Sequence, residues 1–205
     1  MPCACYNVEM IEGVVGLVLV GGASRRMGAD KALLEFEGSP LGRRAVDALI
    51  EAGTGQVWAV GGSEAHGRAL GVDRLPDEDP GSGPLPAIAG AWRRLGEVDL
   101  LVLPCDLPRI RSGDLDQIVR AADGSDAEVT LATLDGRRQY PIGLWRGSAR
   151  DAVIAAVDAG ARDFASAIGG LSVGTVEGGP TIADSDRPDE LPPMRRVVAE
   201  RPEQP

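Results

Sequence analysis

Between Gly21 and Lys31 the chain places three glycines, Gly21, Gly22 and Gly28, among three cations, Arg25, Arg26 and Lys31, with Asp30 as their one acidic neighbour. Glycine lets a backbone curve tightly and come close to a ligand, and the N–H groups of such a loop form a concave site for anions. Guanidinium and ammonium groups add the charge that phosphate oxygens attract. The chemistry that fits this spacing is the holding of a phosphate-rich ligand. Carboxylates elsewhere extend it. Asp106 stands in Pro104-Cys105-Asp106-Leu107-Pro108, where the prolines stiffen a turn, and Asp184 and Asp186 alternate along an extended stretch and so face one side. Mg2+ is commonly held by one or two protein carboxylates together with substrate phosphates and waters. Cations and separated carboxylates therefore describe a metal-bound triphosphate site. The stretch Gly81-Ser82-Gly83-Pro84-Leu85 feeds a helix start, whose unsatisfied N–H groups suit an anion or the edge of a base.

Two better-known phosphate loops are excluded. A P-loop needs G-x-x-x-x-G-K-[ST], whereas here Lys31 follows Asp30 and Ala32 stands where the hydroxyl residue belongs. The G-x-G-x-x-G dinucleotide fingerprint is also missing, which disfavours a nicotinamide-dependent oxidoreductase.

Such groups need strands to present them. Short apolar runs predict strands over Val14–Val20, Gln56–Val60, Val98–Leu103, Val129–Thr133, Pro141–Trp145 and Leu171–Val176. Between them, helical patterns cover Leu41–Glu51, Pro84–Leu95, Ser112–Ala122 and Ser148–Asp158. Strands alternating with helices predict a βαβ parallel sheet, in which ligands bind beyond the carboxyl ends of the strands. Both the glycine loop and Asp106 follow a predicted strand directly. The acidic, glycine-rich stretch Asp77–Gly83 reads as a loop. Residues 14–191 read as one domain, with 1–13 as a flexible N-terminal segment and 192–205 as a tail.

The 205 residues carry 31 Asp+Glu against 21 Lys+Arg, a balance that argues against non-specific nucleic-acid binding. Against a net charge of -10 the local cationic excess at Gly21–Lys31 stands out. Three cysteines, Cys3, Cys5 and Cys105, fit a reducing cytoplasm better than a disulfide framework. No signal peptide is evident, and no apolar run is long enough to span a membrane. The single histidine, His66, lies in a polar stretch and reads as a solvated loop or helix residue. Trp58, Trp92 and Trp145 read as core or interface, and Arg138, Gln139 and Tyr140 as hairpin residues or acceptor contacts.

The string Leu19-Val20-Gly21-Gly22-Ala23-Ser24-Arg25-Arg26-Met27-Gly28-Ala29-Asp30-Lys31 resembles the signature L-A-G-G-x-S-x-R-M-G-x-D-K of nucleotidyltransferases, specifically molybdenum cofactor guanylyltransferases. Val20 replaces the usual alanine. Gly83-Pro84-Leu85 resembles that family's G-P-L-A-G, with Pro86 and Ala87 in place of Ala-Gly. Cys105-Asp106-Leu107-Pro108 resembles its C-D-x-P, and Asp184 to Leu191 its N-x-N-T-P-E-[DE]-L, with aspartates for the asparagines. The motifs occur in family order across nearly the whole chain.

The resemblance implies a three-layer α/β fold whose mostly parallel sheet has a Rossmann-like nucleotide-binding half. It implies transfer of GMP from GTP to the phosphate of Mo-molybdopterin, with Mg2+ as cofactor and molybdoenzyme-maturation proteins as further partners. Leu19, Gly21, Gly22 and Ser24 would line the nucleotide, with Arg26 and Lys31 neutralising its phosphates. Asp106 would hold the metal, joined by Asp186 or Asp184, while Asp77 and the Gly83, Pro84, Leu85 loop would lie near base and ribose. Related chemistry stays open at this point: CTP with the same pterin, or GTP with a phospho-acid precursor of a deazaflavin. So does a non-catalytic nucleotide-binding protein that delivers cofactor. Each motif also has a structural counterpart: the glycines as a tight turn, Asp106 as a turn cap, Asp184 and Asp186 as a cap for a helix from Pro188.

Overall fold

The structure is a computed structural model that describes residues 11–21 and 30–183, together with the backbone of Arg195–Arg196. The first strand, β1 (Ile11–Leu19), begins three residues before the predicted one. A hairpin of β2 (Leu34–Phe36) and β3 (Ser39–Pro40) leads into α1 (Leu41–Glu51) and β4 (Thr54–Val60). Then come α2 (Glu64–Leu70), β5 (Asp73–Leu75), α3 (Pro84–Leu95) and β6 (Asp99–Pro104). The second half runs α4 (Ser112–Asp123), β7 (Val129–Leu134), β8 (Arg137–Trp145), α5 (Arg150–Asp158), α6 (Phe164–Ile168) and β9 (Val173–Glu177). A last two-residue strand, β10 (Arg195–Arg196), pairs antiparallel with β2.

The main sheet has seven strands in the order β5-β4-β1-β6-β8-β7-β9. Every pair on the β5-to-β6 side is parallel, and β8 alone runs against its neighbours β6 and β7. The turn joining β7 to β8 explains the reversal: Asp135 and Gly136 both have positive φ, as the tightest hairpin turns require, so the chain folds straight back.

β1 sits between β4 and β6, with Leu17 opposite both Trp58 and Val102. Because side chains alternate along a strand, an uninterrupted apolar run serves both faces of a buried sheet. Val14, Val18, Leu101 and Leu103 point into one core, shared with Ala45 and Leu49 of α1 and Leu115 and Ile118 of α4. Leu17, Leu19, Leu100 and Val102 point into the other, with Ile88 and Trp92 of α3, Val153 of α5 and Phe164 of α6. The result is a three-layer α/β arrangement. In this second core the indole of Trp92 meets that of Trp145 edge to face at 6.5 Å. Trp92 and Trp145 are fully buried. No helix among the described residues is long and apolar enough to cross a membrane.

Strand order fixes where a ligand can sit. From β1 the chain moves to β4 and β5 on one side and then returns to β6 on the other, so a crevice opens where the order reverses, at the carboxyl ends of β1 and β6.

Candidate functional site

The described part of the site is a set of strand ends tied to one another. Beyond β1, the Val20 amide donates to the Val60 carbonyl of β4 at 3.0 Å, and the Gly61 amide donates to Leu75 of β5 at 2.9 Å. On the other side the Cys105 amide donates to the carbonyl of Leu19 at 3.2 Å. These bonds hold Gly21, Gly61, Asp77 and Asp106 on one rim of the sheet.

Asp106 follows β6, and Lys31 opens a short 3-10 turn, Lys31–Leu33, that follows the glycine loop. The Lys31 Nζ donates to Asp106 Oδ2 at 3.3 Å, with the two side chains 14% and 20% exposed. Partial burial matters here, because opposite charges attract several times more strongly near a protein surface than in bulk water. The contact is also long for a charge-assisted hydrogen bond. A ligand carrying both phosphate oxygens and a divalent cation offers each partner a stronger opposite number, so the pair is suited to being opened by such a ligand.

On the opposite side of β1, Gly21 packs against Gly61 and Asp77. A Cβ built on Gly61 would lie 3.1 Å from both the Cα and the N of Gly21, and Gly61 itself has φ +85. Neither the space nor the backbone conformation tolerates a side chain. A Cβ on Gly21 would lie 3.6 Å from Asp77 Oδ2. Asp77 is partly buried, and its Oδ1 accepts from the Asp79 amide at 3.1 Å, which turns the loop toward α3.

The structure thus joins Lys31 to Asp106 and Gly21 to Asp77. Gly83 and Pro84 form the start of α3, with Pro84 at its first position. Pro84 and Pro86 have no N–H, so of the four positions Gly83 to Pro86 whose amides lack an intrahelical acceptor only Gly83 and Leu85 carry a donor. The side chains of Leu19 and Leu85 are buried in the second core, and the Leu19 carbonyl already accepts from the Cys105 amide. Gly22, Ser24, Arg25, Arg26, Gly28, Asp184 and Asp186 lie outside the described residues, as do Cys3 and Cys5.

His66 corrects the sequence reading. It is 6% exposed, not solvated, and its ring bridges two elements. The Ser63 amide donates to its Nδ1 at 3.0 Å, which leaves the proton on Nε2, and that nitrogen donates to Asp30 Oδ2 at 2.6 Å. Sequence reasoning missed this residue together with Gly61 and Gly62. The signals were present: a Gly-Gly pair at a strand end, and Ser63 three residues before His66, the spacing of a capping box. The Cys105 thiol is pushed up to about 12, first by burial and then by the carboxylates of Asp106 and Asp30. It is a protonated, inert group, not a nucleophile.

Comparison with known proteins extends this picture. Residues 16–171 match the family described as MobA-like NTP transferase domain. The chain is 33% identical over 168 residues to a protein of Mycobacterium tuberculosis named "Probable molybdenum cofactor guanylyltransferase", covering 76% of this chain and 79% of that one. It is 32% identical over 158 residues to the molybdenum cofactor guanylyltransferase of Shewanella loihica, covering 75% and 79%. Among solved structures, the fold is similar to molybdopterin-guanine dinucleotide biosynthesis protein A of Archaeoglobus fulgidus, with a TM-score of 0.61 and 20% identity over 80% of this chain and 83% of that one.

Proposed function

The chain belongs to the MobA-like NTP transferase family and is a nucleotidyltransferase, and from that premise we propose that it transfers GMP from GTP to the terminal phosphate of Mo-molybdopterin, releasing pyrophosphate and forming molybdopterin guanine dinucleotide. The observation that carries this reading is the Lys31–Asp106 pair at the switch point of the sheet. The names of these relatives support the guanylyl donor and the molybdenum cofactor.

The reaction needs little from the protein beyond alignment and charge. An oxygen of the acceptor phosphate bonds to the α-phosphorus of GTP while the bond to the bridging oxygen breaks, and pyrophosphate leaves with that electron pair. The attacking oxygen is already anionic, so no general base has to remove a proton. Lys31, with Arg26, neutralises the phosphate oxygens; Gly21, Gly22 and Ser24 offer backbone and hydroxyl donors. Asp77 and the start of α3 at Gly83 to Leu85 meet the nucleoside end. Such catalysis is mainly positioning and electrostatic stabilisation.

The residues present fit Mg2+. Asp106 offers a hard carboxylate beside the Lys31 ammonium, the donor type that magnesium takes alongside substrate phosphates. Asp106 would hold the ion, with Asp186 or Asp184 as a second ligand. When bound, the ion supplies positive charge to the phosphates and to the departing pyrophosphate. The reading places the enzyme in the cytoplasm, passing its product to molybdoenzyme-maturation proteins.

The test is a nucleotide panel: purified protein, Mo-molybdopterin and each of GTP, CTP, ATP and UTP, with and without Mg2+, followed by pyrophosphate release. GTP should be turned over, and only with Mg2+ and the pterin. Preferential turnover of CTP would replace the donor in this reading. Absence of any release beside an active control enzyme would remove it.

A further inference from the structure

Asp30 occupies the position before the 3-10 turn Lys31–Leu33, where an aspartate ordinarily turns its carboxylate back onto the first amides of its own helix. Here it makes no such bond. Its Oδ2 instead accepts from His66 Nε2 at 2.6 Å, across 36 positions of sequence, and the turn is held by backbone bonds, the Asp30 carbonyl accepting from Leu33 at 3.1 Å and the Lys31 carbonyl from Leu34. The histidine is well fixed for this. Its ring is buried under Gly62, where an added Cβ would stand 2.8 Å from the ring, and its Nδ1 is held by the amide and the hydroxyl of Ser63 at 3.0 Å and 3.1 Å. The next residue after Asp30 is Lys31, whose ammonium reaches Asp106. A chain of contacts therefore runs from Ser63 at the tip of β4, through His66 and Asp30, to Lys31 and Asp106 at the tip of β6.

We propose that His66 is a positioning residue of the nucleotide site, which engages the Asp30 carboxylate and thereby sets the direction in which Lys31 meets the phosphates. This rests on the reading of Lys31 as a phosphate ligand. The physical reason is competition. Asp30 is the one acid beside three cations in the loop, and a carboxylate next to Lys31 is a rival for its ammonium. A short hydrogen bond from a buried imidazole N–H engages that carboxylate and anchors the exit of the loop to α2. Without it, Asp30 turns to Lys31, and the charge available to the phosphates falls.

The experiment is a double-mutant cycle of His66→Ala and Asp30→Ala, with His66→Gln as the conservative variant, read by thermal melting and by kcat/KM in the nucleotide panel. His66→Ala should lower kcat/KM by up to about 100-fold, the scale of a small displacement at a reacting site. Added to Asp30→Ala it should change kcat/KM by no more than about twofold, the limit for independent effects. His66→Gln, whose amide N–H reaches the same place as Nε2, should recover most of the loss. Equal losses on both backgrounds with no recovery in His66→Gln would overturn the proposal and leave His66 as a support of α2 alone. If His66→Ala fails to fold, His66→Leu, which fills the space of the ring without an N–H for Asp30 Oδ2, takes its place in the cycle: unchanged kcat/KM there overturns the proposal as well. Should wild-type protein use another nucleotide than GTP, the cycle is read with that nucleotide, so its outcome is separate from the choice of substrate.

Discussion

Replacing Asp106 with asparagine keeps the shape of the side chain and removes its charge. In the folded protein the carboxylate lies 3.3 Å from the Lys31 ammonium, and the two side chains keep 20% and 14% of their exposure. A fully exposed pair contributes about 0–1 kcal/mol, whereas removing one partner of a fully buried pair costs about 3–5 kcal/mol. This pair lies between those limits, so Asp106→Asn should cost about 2 kcal/mol. For a chain of 205 residues that lowers the Tm by about 4–8 °C. Turnover should fall much further. Removing one electrostatic group that acts on developing charge typically costs about 10²–10³ in kcat. The assay has two arms, a thermal melt without nucleotide and pyrophosphate release with GTP, Mg2+ and Mo-molybdopterin, each run also on Lys31→Ala and the double variant. The melting losses should be less than additive, because both single variants break the same contact. If Asp106→Asn melts lower as calculated but keeps its turnover within about twofold, the carboxylate is a structural ion-pair partner and the chemistry lies elsewhere.

Two further outcomes follow from the geometry. Gly61→Ala forces a side chain onto a backbone at φ +85 and toward Gly21 at 3.1 Å. The conformation alone costs about 1–2 kcal/mol, so the melt should drop and nucleotide affinity, measured by titration, should weaken with it. The Cys105 thiol, ordinarily at 9.0, is raised to about 12 in the folded protein. The folded state thus keeps its proton where the unfolded state has lost it, so this stabilisation is complete below about pH 9 and is lost as pH rises toward 12. Cys105→Ala should flatten that alkaline fall in stability, and at pH 8 a thiol reagent followed by peptide mapping should leave Cys105 unmodified until the protein is denatured.

Much of the fold was legible because its long elements carry their own signals. Leu41–Glu51 and Pro84–Leu95 occur at the bounds their patterns predict. Each has a continuous apolar stripe, and Pro84 marks a first turn it can tolerate. The short elements were not legible. Seven residues in α2 and three in β5 contain too few turns of any period to register as a pattern. The strand before Gly61 and Gly62 was legible as Gln56–Val60, but with α2 went His66 and the reason for the Gly-Gly pair. A polar neighbourhood in sequence says nothing of what folds over it. His66 is buried because α2 packs beside the loop exit and Asp30 supplies a partner for its ring nitrogen.

By itself the sequence determined that a buried strand delivers glycines and cations to an anion, that a second strand ends in a carboxylate, and that alternating strands and helices make a parallel sheet. Those properties depend on residue type and local spacing, and are therefore written along the chain. The tertiary structure decided which of these groups meet. Lys31 and Asp106 are 75 positions apart, and Asp30 and His66 are 36 apart. Both contacts exist because strand order places the ends of β4, β1 and β6 side by side. Strand order is a property of packing, which no window of sequence contains.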